Sequence, residues 1–243
     1  MISLVIPAFN EERRIGKTLT TIRSYLPDSE ILVVFDGNDN TPEVIKNFPV
    51  RLYISKQRLG KGGALKRGIM ESSYNKIILI DADLPLAKIE DLYKLINTDA
   101  DLVITKRNSK ALPPKRRFLH HAFIVLVKLF FPSLIRISDF QSGVKMVSRE
   151  KALSVEDELI INDLLFDVNL IYAFKRRKYT IKEVEIEYKH DETDSKISKK
   201  LLKVIILMFL SLIKLRVYYS PFRGILKTKW FLRAQNYILN KLR

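Results

Sequence analysis

The chain has 243 residues, of which 47% are hydrophobic, so it can form one domain with a sizeable core, or one domain with an appendage. It contains no cysteine, which excludes a disulfide framework and any zinc or iron–sulfur site with cysteine ligands. Its net charge of +16 predicts anionic partners: nucleic acid, an anionic membrane surface or phosphorylated substrates. The N-terminal segment lacks the features of a signal peptide, so we expect the protein in the cytosol.

Short apolar runs rich in β-branched residues predict buried strands in the first half of the chain. These runs cover residues 2–6, 31–35, 51–54, 77–80 and 101–105. Segments with helical spacing lie between them, which indicates parallel βαβ units and a Rossmann-type half-sheet over residues 1–105. Asn10 is expected to cap the first of these helices. Further along, we expect a helix over 163–177 and a strand over 180–188.

Polar residues follow four of these runs, at the points where the predicted strands end. Residues 7–11 follow the first run, Asp36 the second, Asp81 and Asp83 the fourth, and Arg107 the fifth. In sheets of this kind, ligands bind beyond the carboxyl ends of the strands. We therefore expect these residues to converge on one crevice.

Asp81 and Asp83 are separated by a single residue. An isolated pair of this kind is most often a solvated turn, since aspartate is common at protein surfaces. The alternative is a Mg²⁺ or Mn²⁺ site, in which one or two carboxylates share the ion with substrate phosphate oxygens. The segment GKGGALKRG, residues 60–68, favours the cation site because it brings three cations and flexible backbone to a helix N-terminus, where anions bind.

Residues 117–131 are predicted to form a basic amphipathic helix, which is typical of a protein that lies on an anionic membrane surface. Arg117, His121 and Lys128 share its basic face. Its apolar residues lie away from that face: Leu119, Phe123, Leu126 and Phe130.

The C-terminal segment 199–219 is apolar with basic residues at intervals. Its ten uncharged residues, 204–213, would span about 15 Å as a helix, roughly half of a bilayer core. The segment is therefore predicted to lie on a membrane rather than cross it, and a buried core helix is the alternative. The predicted apolar anchors of the two segments are Phe123, Phe130, Phe209 and Leu212.

Seven motifs occur in order along the chain: LVIPAFNEE, VVFDGN, LGKGGALKRG, DADL, DFQSGVKM, FDVN and EVEIEY…SK. Over about residues 1–200 the chain thus resembles family 2 glycosyltransferases with the GT-A fold, and most of all the polyprenyl-phosphate subgroup, which includes dolichyl-phosphate mannose and glucose synthases. The resemblance implies an α/β fold with a mostly parallel mixed sheet flanked by helices. It implies a catalytic domain over residues 1–198 and a basic, apolar, membrane-associating helical tail over residues 199–243.

The resemblance also implies a nucleotide-sugar donor, GDP-mannose or UDP-glucose. In this interpretation Asp36 contacts the base, and Asp81 and Asp83 hold Mg²⁺ or Mn²⁺ against the donor diphosphate. The implied donor-site residues are Pro7, Phe9, Glu11, Val34, Asp36, Lys61, Asp81, Ala82 and Asp83.

The implied reaction is an inverting transfer of a hexose to polyprenyl (dolichyl) phosphate. A lipid phosphate needs no general base, since its second pKa of about 6 leaves it largely dianionic at neutral pH. The implied catalytic residues are Asp83, Arg107, Arg117 and Lys196. The implied acceptor and sugar-pocket residues are Arg116, Arg117, His120, Asp139, Gln141 and Lys196. The implied location is the cytoplasmic face of a membrane, as a peripheral or monotopic protein, with a small membrane subunit as a further partner.

The chain departs from the family pattern at Phe35, Pro85, His120 and Asn169, which bears on substrate preference more than on reaction class. A transferase that acts on a sugar hydroxyl of a glycolipid or soluble acceptor is one alternative, and it would need a base, for which Asp139 is the candidate. A basic nucleic-acid-binding protein is an alternative from another class. It is disfavoured because recognisable RNA or helix-turn-helix motifs are lacking and acids gather where phosphates would lie, so we expect no nucleic-acid partner.

Overall fold

The computed structural model describes residues 1–107, 114–188 and 201–231, together with residues 233 and 235. Seven strands form one sheet within these ranges. They are β1 (Ser3–Ala8), β2 (Glu30–Phe35), β3 (Arg51–Ile54), β4 (Lys76–Ile80), β5 (Leu102–Arg107), β6 (Val144–Ser148) and β7 (Ile181–Ile186). Their order is β3-β2-β1-β4-β6-β5-β7, and only β6 runs antiparallel to its neighbours, β4 and β5. The predicted mostly parallel mixed sheet is confirmed.

Helices cover both faces of this sheet. They are α1 (Ile15–Tyr25), α2 (Thr41–Ile45), α3 (Gly60–Glu71), α4 (Asp91–Ile96), α5 (Pro114–Phe130), α6 (Arg149–Ser154), α7 (Phe166–Arg176) and α8 (Leu201–Tyr218). Apolar residues of α1, α2 and α4 pack on one face, and those of α3, α5, α6, α7 and α8 pack on the other. Alternate strand residues serve the two layers: in β1, Leu4 and Ile6 face the first and Val5 the second. Strands buried on both faces explain the continuous apolar runs of the sequence.

The strand that the sequence did not reveal is β6. Lys145 stands in the middle of its apolar residues and interrupts the run that would have indicated a buried strand. Because β6 is antiparallel, it begins at the sheet edge where the other strands end. This direction brings Gly143 beside Asp81, whose backbone N–H donates a hydrogen bond of 2.9 Å to the Gly143 carbonyl.

The expected capping role of Asn10 is wrong. Helix α1 begins at Ile15, with Arg14 at its N-cap. Asn10 instead adopts a φ of 57°, and its side-chain oxygen accepts a 2.9 Å hydrogen bond from the backbone N–H of Asn38. The residue therefore joins the loops that follow β1 and β2.

Helix α5 carries two apolar stripes. The stripe predicted to meet a membrane faces inward, where Phe123, Leu126 and Phe130 pack against the core. The exposed apolar residues of α5 are Phe118, Val125 and Leu129. Helical periodicity alone did not distinguish these stripes because the helix is apolar over most of its circumference.

Helix α8, predicted to be either a membrane-surface helix or a core helix, has one buried side and one exposed apolar side. Met208, Leu212 and Leu215 are buried in the core, so the prediction of Leu212 as a membrane anchor is wrong. Other apolar residues of the helix are exposed: Ile205, Ile206, Phe209 and Ile213. Within the described residues, no helix combines the length and apolar character needed to span a bilayer. The predicted boundary at residue 198 lies outside the described ranges and stays a prediction.

Helix α8 is linked to α3 through the segment between α6 and α7. The Ser211 hydroxyl donates a hydrogen bond to the carboxylate of Asp163, whose pKa is raised by burial. The carbonyl of the preceding residue, Asn162, accepts a 3.0 Å hydrogen bond from the backbone N–H of Gly62 in the first turn of α3. A side chain at Gly62 would lie 2.6 Å from the Ile161 carbonyl oxygen, so glycine permits this close approach.

The packing of α8 yields a first prediction about stability. Leu212→Ala should lower the free energy of unfolding by about 2–5 kcal/mol, because it leaves a cavity in the core. Ile213→Ala, one position along on the exposed side, should cost less than about 1 kcal/mol. Urea denaturation followed by circular dichroism measures both values. Equal, small losses for the two variants would mean that α8 does not belong to the core.

Candidate active site

The crevice lies at the edge where six of the described strands end and β6 begins. Loops from β1, β2, β4 and β5 bring the predicted polar residues to this edge, as parallel strands require. The loop before β6 adds Gly143, and the residues after β7 add Tyr188. The convergence expected from the sequence is therefore present in the fold.

Asp81 and Asp83 stand on a tight turn after β4. The turn is fixed by the carbonyl of Ala82, a buried residue, which accepts a 2.7 Å hydrogen bond from the Thr18 hydroxyl. Asp83 reaches solvent, yet partial desolvation in the crevice and the charge of Asp81 raise its pKa. The turn thus presents two carboxylates whose mutual repulsion favours a bound cation.

Lys61, at the start of α3, extends to the Asp81 carboxylate. Its ammonium nitrogen lies 2.7 Å from Asp81 Oδ1 and 3.0 Å from Oδ2. It also lies 3.9 Å from Asp167 Oδ2, at the start of α7. Burial would lower the pKa of Lys61, but the charges of Asp81 and Asp167 outweigh burial and raise it above its ordinary value. Lys61 is therefore held as a cation.

A second, fully buried lysine lies behind this contact. Lys145 of β6 places its ammonium nitrogen 3.1 Å from Asp167 Oδ1 and donates to the carbonyl of Ser142. Burial lowers its pKa. Neither Lys145 nor Asp167 was assigned a role from the sequence. The available signal was a single charged residue inside an apolar run, KMV in β6 and FDV in α7.

Phe9, Asp36 and Arg58 form the end of the crevice near β1 and β2. The Arg58 guanidinium lies 3.3 Å above the centre of the Phe9 ring and pairs with the Asp36 carboxylate. Asp36 also accepts hydrogen bonds of 2.9 and 2.8 Å from the backbone N–H groups of Leu59 and Gly60. Asp36 therefore anchors the loop before α3, and Arg58 is a crevice residue that the sequence analysis missed.

The other residues predicted at the donor site lie in different surroundings. Glu11 pairs with Arg14 at 2.7 Å, and both charges act on Asp83, so Glu11 lies close to the acidic turn. Pro7 is half-buried in β1. Val34 is wholly buried in β2, where it belongs to a small apolar cluster with Leu32 and Ala64. Its predicted place in a nucleotide-binding segment stays a prediction.

Arg107 and Asp139 form a bidentate ion pair on the opposite side of the crevice. Arg107 Nε lies 2.6 Å from Asp139 Oδ2, and Nη2 lies 2.9 Å from Oδ1. Burial would raise the pKa of Asp139, but the hydrogen bonds and charge of Arg107 outweigh it and lower the pKa. The backbone N–H of Gln141 donates to the same carboxylate at 2.9 Å. His120 is buried beside this pair, and burial lowers its pKa.

Tyr188 connects the two sides of the crevice. Its hydroxyl oxygen accepts a 2.5 Å hydrogen bond from the Gly143 N–H and lies 2.9 Å from Ser142 Oγ. The Arg107 guanidinium lies 5.5 Å from the centre of its ring. Burial raises the pKa of Tyr188 to about 12, so the phenol stays protonated near neutral pH. Tyr188 is a further residue without an assigned role in the sequence analysis.

The remaining predicted acceptor cations are only partly described. Arg117 lies in α5, half-exposed, and its backbone carbonyl contacts His121 Nδ1 at 2.7 Å. The side chain of Arg116 and the whole of Lys196 lie outside the described residues, so their predicted roles stay predictions.

A mixed sheet of this order, with an acidic turn of two aspartates at its carboxyl edge, defines a glycosyltransferase of the GT-A fold. The model of the glycosyl transferase family 2 matches residues 3–153, and the chain belongs to this family. A dolichyl-phosphate β-glucosyltransferase of Dictyostelium discoideum is 28% identical, over 77% of this chain and 66% of its own length. Glycosyltransferase AglD of Haloferax volcanii is 30% identical, over 77% of this chain and 33% of its own length.

Solved structures agree on the fold. The glucosyl-3-phosphoglycerate synthase of Mycobacterium tuberculosis, in complex with Mn²⁺, UDP-glucose and phosphoglyceric acid, superposes with a TM-score of 0.71 at 20% identity. The superposition covers 91% of this chain and 81% of that one. Among the two sequence relatives above, this chain spans two thirds of the first and one third of the second.

Gly143 yields a prediction about the acidic turn. A methyl group at this position would lie 2.5 Å from Asp81 Oδ2, so Gly143→Ala should displace the Asp81 carboxylate. We expect glycosyl transfer to fall at least about tenfold, the effect of misplacing a group by roughly 1 Å. Gly224→Ala is the matched control, because a methyl group there has no neighbour within 4 Å. Initial rates of the two purified variants test this, and equal rates would show that the close approach is unimportant.

Proposed function

We propose that this chain is an inverting glycosyltransferase that moves a hexose from a nucleotide-sugar to the phosphate of a polyprenyl (dolichyl) phosphate. The observation that carries the proposal is the Arg107–Asp139 ion pair. The pair engages the Asp139 carboxylate, which could otherwise have served as a general base. It also holds the Arg107 cation where an anionic acceptor would approach. The dolichyl-phosphate β-glucosyltransferase among the relatives supports the same acceptor class.

The two candidate acceptors differ in whether they need a general base. A sugar hydroxyl must lose a proton as it attacks, so it needs a nearby base with a suitable pKa. Asp139 is a poor base because both of its oxygens are engaged and its pKa is lowered. A lipid phosphate is already dianionic near neutral pH and attacks without a base. Attack from the face opposite the leaving group inverts the anomeric configuration.

Asp81 and Asp83 would hold a divalent cation, Mg²⁺ or Mn²⁺. The residues fit such an ion: two hard carboxylates share one turn, and the pKa of Asp83 is raised by desolvation and by the charge of Asp81. When bound, the ion supplies positive charge that stabilises the leaving diphosphate. Among the described residues, no group of three or more His, Asp or Glu could hold a metal by itself. The mycobacterial enzyme of the same fold was solved in complex with Mn²⁺, which supports a divalent ion.

The donor would lie along the edge from Phe9 to the acidic turn. The stacked Phe9 and Arg58 side chains offer a flat, cationic surface for a base and its phosphates, and Asp36 fixes Arg58 in place. The charge of Glu11 acts on Asp83, and we assign Glu11 to the ribose. Lys61 extends to the turn where the diphosphate would bind. The glucosyltransferase among the relatives favours glucose over mannose as the sugar, and hence UDP-glucose of the two donors proposed.

The acceptor phosphate would bind on the Arg107 side. Arg107 is kept charged and oriented by Asp139, and Arg117 lies on α5, the helix that carries buried His120 beside the same pair. We assign Arg116, Arg117 and Lys196 to the acceptor phosphate, and His120, Asp139 and Gln141 to the wall around it. Asp139 acts through Arg107 in this assignment and is a positioning residue.

The lipid acceptor implies a membrane surface, and the exposed apolar residues of α5 and α8 fit one. Phe118, Val125 and Leu129 share the outer side of α5 with His121. Phe209 of α8 stacks edge-on against Phe130 of α5, with ring centres 6.3 Å apart, which joins the two helices. We propose that these helices and the tail over residues 199–243 hold the protein on the cytoplasmic leaflet, peripherally. A small membrane subunit would be a further partner.

The acceptor class is tested with purified enzyme, a panel of nucleotide-sugars, and either polyprenyl phosphate or the same polyprenol without phosphate. We expect transfer to the phosphate only, with an inverted anomeric linkage and UDP-glucose as the preferred donor. Arg117→Ala should raise the KM for polyprenyl phosphate at least about tenfold while the donor KM changes less, since one charged hydrogen bond contributes about 1.5–3 kcal/mol. Transfer to free polyprenol, or to a soluble sugar, would overturn the base-free mechanism.

Membrane docking is tested by co-sedimentation with vesicles that contain anionic lipid. Replacing Phe118, Val125, Leu129 and Phe209 with serine should reduce vesicle binding, because these side chains are exposed and their burial in lipid would be lost. The quadruple variant should still use a short, water-soluble polyprenyl phosphate. High salt should weaken wild-type binding without abolishing it, since only the electrostatic part is screened. Wild-type protein that ignores these vesicles would contradict the docking proposal.

A further inference from the structure

Four charged side chains form a line that starts at the acidic turn and runs into the protein. They alternate in sign, in the order Asp81, Lys61, Asp167 and Lys145. Lys61 is the member that touches two carboxylates, and it does so unequally. Its nitrogen is within hydrogen-bond distance of Asp81, at 2.7 Å, but stands 3.9 Å from Asp167.

The backbone around Lys61 is fixed, so only its side chain can move. The neighbouring Gly62 N–H is bonded to the Asn162 carbonyl, and glycine at both 60 and 62 lets the chain lie against residues 161 and 162. A lysine side chain has a flexible stem of four carbon atoms between the backbone and its nitrogen. A shift of about 1 Å would bring its nitrogen from Asp81 into a full hydrogen bond with Asp167.

Lys145 holds Asp167 in place to accept the Lys61 nitrogen in this second position. Its other oxygen lies 3.1 Å from the nitrogen of Lys145, which is 2% exposed and also bonded to the Ser142 carbonyl. Lys145 therefore orients Asp167 and offsets part of the cost of burying it. The second carboxylate oxygen of Asp167 is left pointing toward Lys61.

We propose that Lys61 is an internal counter-ion that competes with the divalent cation for Asp81, and that Asp167 is the positioning residue that receives Lys61 when the cation takes that carboxylate. Lys61 then stays beside the turn, as a cation, and contacts the donor diphosphate. This inference rests on the proposed divalent-cation site at Asp81 and Asp83. The divalent cation and Lys61 would thus compete for the Asp81 carboxylate, whereas both would bind the donor diphosphate.

Competition gives Lys61 opposite effects on two ligands. Removing its charge should tighten the binding of Mn²⁺ alone, since a unit charge a few Å from the ion is lost. The same change should weaken the binding of UDP in EDTA, because the diphosphate loses a cation. A residue that served only the stability of the fold would weaken both.

The experiment measures Mn²⁺ binding without nucleotide, by electron paramagnetic resonance of the free ion. Lys61→Gln, which keeps N–H donors but not the charge, should lower the Kd for Mn²⁺ on the order of five- to tenfold. Lys61→Arg, the charge-retaining control, should leave the Kd near the wild-type value. In EDTA, isothermal titration with UDP should give the reverse order, with Lys61→Gln weaker than wild type. Thermal denaturation checks the fold, and Lys61→Met serves if the glutamine variant is unfolded.

Asp167 is tested through a double-mutant cycle. Asp167→Asn should raise the Kd for Mn²⁺ severalfold, because Lys61 loses its second position and stays on Asp81. In a Lys61→Gln background the same change should have no effect, since Asp167 acts through Lys61. An equal effect in both backgrounds would overturn the positioning role.

The outcomes separate this inference from the proposed function on which it rests. If wild type and an Asp81→Asn/Asp83→Asn variant both fail to bind Mn²⁺, the proposed metal site itself is wrong. If wild type binds Mn²⁺ through these aspartates but folded Lys61→Gln binds it equally or less tightly, the site stands and the competition is overturned.

Discussion

The antiparallel pairing of β6 between β4 and β5 is the constraint on which the rest of the crevice depends. It brings the start of β6 to the edge where the other strands end, and it presses Gly143 against Asp81. The same direction carries Lys145 into the layer beneath α3 and α7, where Asp167 meets it. A parallel strand at this position would have sent both residues to the opposite edge of the sheet.

Ion pairing is the recurrent device of the site. Arg107 is paired with Asp139, Lys61 with Asp81, and Arg58 with Asp36, so three cations around the crevice each have an aspartate partner. Without its partner, a buried lysine would lose part of its charge, and an arginine would lose its fixed orientation. Pairing keeps each one charged and aimed, which suits a site that must meet the phosphates of two substrates without large rearrangement.

Much of the fold could be predicted from the sequence, because strands buried on both faces leave continuous apolar runs. The first five strands, and the convergence of Asp36, Asp81, Asp83 and Arg107, followed from that signal alone. The failures share a physical cause. Lys145 concealed β6 because its partner, Asp167, comes from a helix more than twenty residues away, and no local pattern reports a pairing of that kind. The inward orientation of Phe123, Leu126 and Phe130 was missed for a related reason, since periodicity cannot say which apolar side of a helix the core will cover.

The link between α8 and α3 has a consequence for how such proteins can be recombined. Asp163 is bonded to Ser211 of α8, and Asn162, its neighbour, supports the first turn of α3. The segment of residues 158–165 therefore contacts both α3 and α8. A chimera that exchanges α8 between relatives would need to carry this segment with it, because a foreign helix on a native segment would shift the backbone under Gly62. The inner side of α8 is therefore tied to a segment 48 residues earlier in the chain.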